Sequence, residues 1–143
     1  MSRFVVDASV AVKWLPIFAM EPFVDRAKHL LDRGAAGEIS MLVPDLFWLE
    51  VGNVLCKAVR RNACQAAEAN DALVEMQQQP LKTASSVPLV NSAQEIAIQY
   101  GRSIYDSLYV ALAKASDSQL ITADEKLANA LAAHQPVKWL GSL

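Results

Sequence analysis

Short apolar runs alternate with longer stretches of helical periodicity along the whole chain. "RFVVDAS" reads as a short buried strand followed by a turn. In "EPFVDRAKHLLDRGAAGE", Phe23, Ala27, Leu30 and Leu31 fall at helical spacing, and Gly34 supplies a stop. "ISMLVP" is a second strand, ending at Pro44. "PDLFWLEVGNVLCKAVRRN" starts a helix with Asp45 as its N-cap and Lys57, Arg60 and Arg61 near its end. "CQAAEANDALVEMQQQ" is amphipathic through Ala66, Ala69, Leu73 and Met76, and "PLKTASSVP" is a loop with room for a short strand. "LVNSAQEIAIQYG" is a helix closed by Gly101, and "YDSLYVALAKAS" one with Tyr105, Leu108, Tyr109 and Leu112 on one face. "SQLIT" (strand), "DEKLANALAAH" (helix) and "VKWL" (strand) complete the chain. Strands separated by helices need crossover connections, so the pattern predicts an α/β sandwich with a mainly parallel central sheet flanked by helices.

Composition narrows this further. At 143 residues, 53% hydrophobic and 20% charged, the chain suits one folded domain with a core that needs no staples. A net charge of -2 argues against a protein that blankets phosphates, but not against an enzyme that touches a few in one cleft. Cys56 and Cys64, the two cysteines, form no metal motif and read as reduced, small hydrophobes of a cytoplasmic protein. Asp7 and Lys13 interrupt the apolar N-terminus, which therefore does not read as a secretory core. No uncharged stretch approaches the ~18 residues of a membrane span.

Four carboxylates break the apolar pattern. Asp7 ends the first strand, and Asp124 follows "QLIT"; ligands of an open parallel sheet bind beyond those ends. Glu50 interrupts "LFWLEVGNVL", and with Asn53 and Lys57 it draws a polar stripe down an apolar helix. Asp106 opens the helix "YDSLYVALA". Taken singly, Asp106 and Asp124 read as helix caps, Asp7 as the start of a turn and Glu50 as a wet helix face. Together they fall at strand ends and helix starts that a parallel fold gathers on one edge. Carboxylates so gathered repel one another unless a cation joins them. Oxygen ligands suit Mg²⁺, with Mn²⁺ as substitute, and His29 and His134 lack zinc-like spacing.

"VVDASVAVKWL", "LFWLEVGNVL", "SIYDSLYVALA" and "LITADEKL" resemble, in order and spacing, the four acidic motifs of PIN-domain ribonucleases, and in particular the VapC-type toxins of toxin–antitoxin pairs. The resemblance runs from Phe4 to the last strand and implies a single PIN-like domain over residues 1–143, a three-layer sandwich. It implies a Mg²⁺-dependent endoribonuclease that hydrolyses RNA with metal-activated water. Asp7 and Asp106 would be the principal metal ligands, with Glu50 and Asp124 completing the shell or orienting water. Ser9 and Thr122 match hydroxyl positions that support the aspartates, and Asn53 a polar position one turn beyond the glutamate. A cognate small antitoxin and a homodimer are also implied.

Among the basic residues, Lys13 and Arg102 lie closest in sequence to the acidic motifs and are the stronger candidates for substrate phosphates; Arg60 and Arg61 read as a solvated helix face. After "KWLP" the chain departs from the family's usual glutamates and reads "IFAMEP", so Ile17, Phe18 and Met20 make an apolar loop expected either to fold on the core or to meet the antitoxin or a second copy. Leu73 and Met76 fit core or dimer contact equally. Three rivals remain to be weighed: a catalytically silent PIN-like module that binds RNA or protein, a haloacid-dehalogenase-type phosphotransferase, and a P-loop enzyme. The second needs an acid where Ser9 stands, and the third a GxxxxGK[ST] that the chain lacks.

Overall fold

The apolar run at the start of the chain becomes the centre of the sheet. The computed structural model describes residues 2–143. Strands β1 (Ser2–Val6), β2 (Ile39–Pro44), β3 (Leu81–Ala84), β4 (Gln119–Thr122) and β5 (Val137–Trp139) lie in the order β3-β2-β1-β4-β5. All four neighbouring pairs are parallel, with Val5 opposite Leu42 on one side and Leu120 on the other. Successive strand residues point to opposite faces. Val5 and Val6 are both fully buried, as are Leu120 and Ile121, so both faces of the sheet are covered.

Seven helices supply the crossovers: α1 (Ala8–Ala11), α2 (Val24–Ala35), α3 (Leu46–Arg60), α4 (Ala66–Gln77), α5 (Val90–Tyr100), α6 (Ile104–Ala115) and α7 (Glu125–Leu131). The chain steps outward from β1 to β2 and β3, then returns to lay β4 on the free side of β1. That reversal is the switch point of the sheet, the place where parallel sheets bind their ligands, in a crevice beyond the carboxyl ends of the strands, here β1 and β4. Helix α6 is the most deeply buried, with an unbroken buried run from Ser107 to Ala113, and it packs across β1, β2 and β4. Among the described residues, no helix is long and apolar enough to cross a membrane.

Several local expectations are corrected. Residues 8–18, expected as a turn and loop, coil into α1 and two 3-10 turns, Val12–Trp14 and Pro16–Phe18. Trp14 donates its indole N–H to the Ala27 carbonyl at 2.8 Å and pins this segment to α2. Gly34 does not stop α2; the helix runs one residue further, and Gly37, at φ 76°, makes the left-handed turn that ends it. Gly34 instead lets α2 lie against the Met41 side chain, where a Cβ would collide. Asp45 precedes α3 without capping it; its carboxylate accepts from the Ser86 N–H at 3.0 Å and joins α3 to the loop after β3. Gly101, at φ 65°, closes α5 as expected.

Of the apolar loop, Phe18 is buried and Ile17 packs against the core, whereas Met20 is 97% exposed. Met76 is fully buried and Leu73 partly so. Cys64 is half-buried, but Cys56 is exposed rather than packed, because it lies on the outer side of α3.

Candidate active site

Asp7 is the first residue beyond β1, and its backbone N–H still donates to Ile121 O, continuing the β1–β4 ladder. Its carboxylate is held by two hydroxyls on one oxygen: Ser9 donates to Asp7 Oδ2 at 2.9 Å and Thr122 at 2.7 Å. The direction of both bonds is set from behind. Ser9 Oγ accepts from the Ala123 N–H at 3.0 Å, and Thr122 Oγ1 from the Asp124 N–H at 3.1 Å. A backbone N–H can only donate, so each hydroxyl turns its proton to Asp7. The expectation that these two residues support the aspartate matches this geometry.

Glu50 comes from α3 and Asp106 from the first turn of α6, where Ser103, not Asp106, caps the helix by accepting the Asp106 N–H at 3.0 Å. Tyr109, one turn further along α6 and almost wholly buried, donates its hydroxyl to Glu50 Oε1 at 2.6 Å. Asp124 does two things at once: Oδ1 caps α7 by accepting from the Leu127 N–H at 3.1 Å, and Oδ2 faces Arg102 at 3.9 Å. The same Arg102 nitrogen lies 3.5 Å from Asp106 Oδ2.

Burial pushes the Asp7 carboxyl above the usual carboxylate range, against the two hydroxyl bonds and with the Asp106 charge adding to the rise. Burial raises Glu50 as well, opposed by Tyr109 and reinforced by Asp7 and Asp106. Tyr109 is itself pushed far up by burial and by the charges of Asp7 and Glu50, so it stays a proton donor. Neither Asp7 nor Glu50 has an ion-pair partner among the described residues. Two half-buried carboxylates with no cation, each with one oxygen already oriented by hydroxyl donors, fit a hard divalent ion. The cage is not closed in this arrangement: among the described residues, no three acidic, histidine or cysteine side chains converge tightly enough to hold one ion, and Arg102 stands between Asp106 and Asp124.

The raised carboxyls have a thermodynamic sign. Asp7 and Glu50 bind protons more tightly in the folded chain than in the unfolded one, so metal-free stability rises as pH falls from neutrality towards the ordinary carboxylate range and declines as pH rises. The melting temperature in chelator should therefore be higher at about pH 5.5 than at about pH 7.5, and Asp7→Asn should flatten the difference. A melting temperature that climbs over that interval, in the native chain as in the variant, would contradict this reading of the two groups.

Other candidates lie elsewhere. Lys13, on the 3-10 turn after α1, is 6% exposed and its amine is taken up by Glu21 at 3.2 Å. Asn53 is exposed on α3, makes no hydrogen bond to Glu50 and lines a groove of about 740 Å³ between α3 and α4 together with Leu49, Leu73 and Arg60. Arg102 is at the crevice, but bound to carboxylates. Tyr109 was not among the expected site residues, since a tyrosine in an apolar helical stripe reads as core. Its place three residues after Asp106, on the same face of α6, was the available signal.

A PIN domain model matches residues 4–131. Ribonuclease VapC3 of Pyrobaculum aerophilum is 33% identical over 129 residues, covering 88% of this chain and 92% of that protein. The chain belongs to the PIN-domain family and, within it, to the VapC-type proteins. Among solved structures, PAE2754 from Pyrobaculum aerophilum superposes with a TM-score of 0.68 at 21% identity, over 99% of this chain and 85% of that one. A toxin–antitoxin complex from Klebsiella pneumoniae gives 0.62 at 14% identity, over 96% of each chain. These likenesses bear out the PIN-like fold, a five-stranded sheet that is wholly rather than mainly parallel.

Proposed function

We propose that this protein is a metal-dependent endoribonuclease, the toxin of a toxin–antitoxin pair, using Mg²⁺ with Mn²⁺ as substitute. The observation that carries the reading is Asp7: a carboxylate at the switch point, oriented through Ser9 and Thr122, raised by burial and by the charge of Asp106, with no ion-pair partner of its own among the described residues. The 33% identical relative is named a ribonuclease, and the Klebsiella pneumoniae neighbour is a toxin–antitoxin complex, which supports RNA as substrate and a small antitoxin as partner. When bound, the divalent ion would lower the pKa of water and draw charge off the attacked phosphate.

The chain's own groups define the rest of the work. Asp7 and Asp106 would hold the ion, and Glu50, held at one oxygen by Tyr109, keeps the other for the ion or for a water molecule. Ser9 and Thr122 keep Asp7 in one rotamer, so the ion finds its ligands already placed. Apolar side chains left exposed around Leu49, including Val90, Ile104 and Tyr105, offer surface to an antitoxin or a second copy. The setting would be the cytoplasm.

Cleavage of a labelled RNA should be fully abolished in chelator, restored by Mg²⁺ or Mn²⁺, and not restored by Ca²⁺ at equal concentration, since Ca²⁺ is larger and tolerates looser geometry. Cleavage that survives chelation would remove the metal-dependent reading. Tight RNA binding without cleavage in any divalent ion would favour the silent-module alternative.

A further inference from the structure

The acidic crevice is electrically divided. On one side Asp7 and Glu50 face Asp106 with no positive partner. On the other, a single Arg102 nitrogen lies 3.5 Å from Asp106 Oδ2 and 3.9 Å from Asp124 Oδ2. Arg102 is no loose surface side chain: it is three-quarters buried, and its backbone N–H is anchored on Ala97 O at 3.0 Å by the left-handed turn at Gly101. Its Nε is buried without a hydrogen-bond partner among the described residues. A guanidinium that leaves one donor unsatisfied to stay between two carboxylates is held there by their charge.

Two-metal phosphodiesterases place their ions about 4 Å apart on a set of shared carboxylates. In this chain a fixed cation already bridges the two carboxylates that a second ion would share. Asp124 is drawn on from both sides besides, Oδ1 by the cap of α7 and Oδ2 by Arg102. We propose that Arg102 is the resident second cation of the site: it occupies the Asp106–Asp124 side, so the protein takes one divalent ion, on the Asp7 side, and Asp124 is a partner of the arginine and not a ligand of the metal. This rests on the metal-dependent reading above. It makes Arg102 a positioning residue that also sets the metal stoichiometry, where the sequence had suggested a phosphate contact.

The test is Mn²⁺ binding by the full-length chain, followed by equilibrium dialysis and by electron spin resonance, which detects two ions coupled at close range. The native protein should bind one Mn²⁺ with no spin coupling. Arg102→Gln should bind two, with coupling, and Arg102→Lys, which retains a positive charge, should stay at one. Asp124→Asn, whose side chain still caps α7, should keep one ion with its affinity changed less than about threefold. Two ions in the native chain, one ion in Arg102→Gln, or a tenfold loss of affinity in Asp124→Asn would each overturn the proposal. The last of these does not require Arg102→Gln to fold. Failure of the underlying reading looks different: the native chain would bind no Mn²⁺ at all, and both ideas would go together.

Discussion

Asp7→Asn should lower RNA cleavage by roughly a thousandfold or more, while the metal-free protein should melt at the same temperature as the native chain or above it. The expected loss follows from the role proposed for the ion, whose charge stabilisation would be worth several kcal/mol, each 1.36 kcal/mol being a factor of ten in rate. The retained fold follows from the geometry. An asparagine oxygen can accept both hydroxyl protons now directed at Asp7 Oδ2, so the link to Ser9 and Thr122 survives. The charge that disappears is one that burial disfavours and Asp106 repels, and its removal relieves the folded state. Cleavage of a labelled RNA and thermal melting in chelator check the two halves separately. Full activity would sink the proposed chemistry, and a protein that no longer folds would make Asp7 a structural residue.

Phe18→Ala should destabilise the protein by about 3–5 kcal/mol, as the removal of a buried aromatic ring does. Over a domain of this length that corresponds to a fall in melting temperature on the order of 10 °C. Met20→Ser, two residues away and fully in water, should change stability by less than about 0.5 kcal/mol. The loop therefore has an inner and an outer residue. A contact with an antitoxin or a second copy is open to Met20 and closed to Phe18, and a binding experiment that substitutes both side chains would confuse lost affinity with lost fold. Chemical denaturation of the two single variants separates them, and equal effects would contradict the placement of Phe18.

The sites legible in the sequence were those where a charge breaks an apolar pattern. Asp7, Glu50 and Asp106 stand out because a strand end and two apolar helices have no ordinary use for a carboxylate. Asp124 was ambiguous as sequence and is ambiguous for a reason: one oxygen does cap a helix while the other faces the crevice. What stayed hidden depends on which side chains meet across the fold. Tyr109 fits an apolar stripe equally well whether its hydroxyl finds a carboxylate or nothing. Arg102 and Lys13 both sit near acidic motifs, and only the path of the backbone sends one into the crevice and the other to Glu21. Residues 8–18 give no clean period, since their short helical turns are set by Trp14 docking on Ala27 rather than by spacing. Gly34 and Gly37 look alike in the sequence; packing against Met41 and a positive φ tell them apart.

The clamp on Asp7 spans almost the entire polymer: the Thr122 hydroxyl donates to Asp7, and the Ala123 N–H donates to Ser9. Among the described strands β1 comes first along the chain, yet its place in the middle of the sheet is completed only by β4, the fourth. Such distant pairings are the slow, late events of folding. A chain in which β4 has not yet docked thus holds Asp7 through Ser9 alone, with the Thr122 half of the clamp still missing.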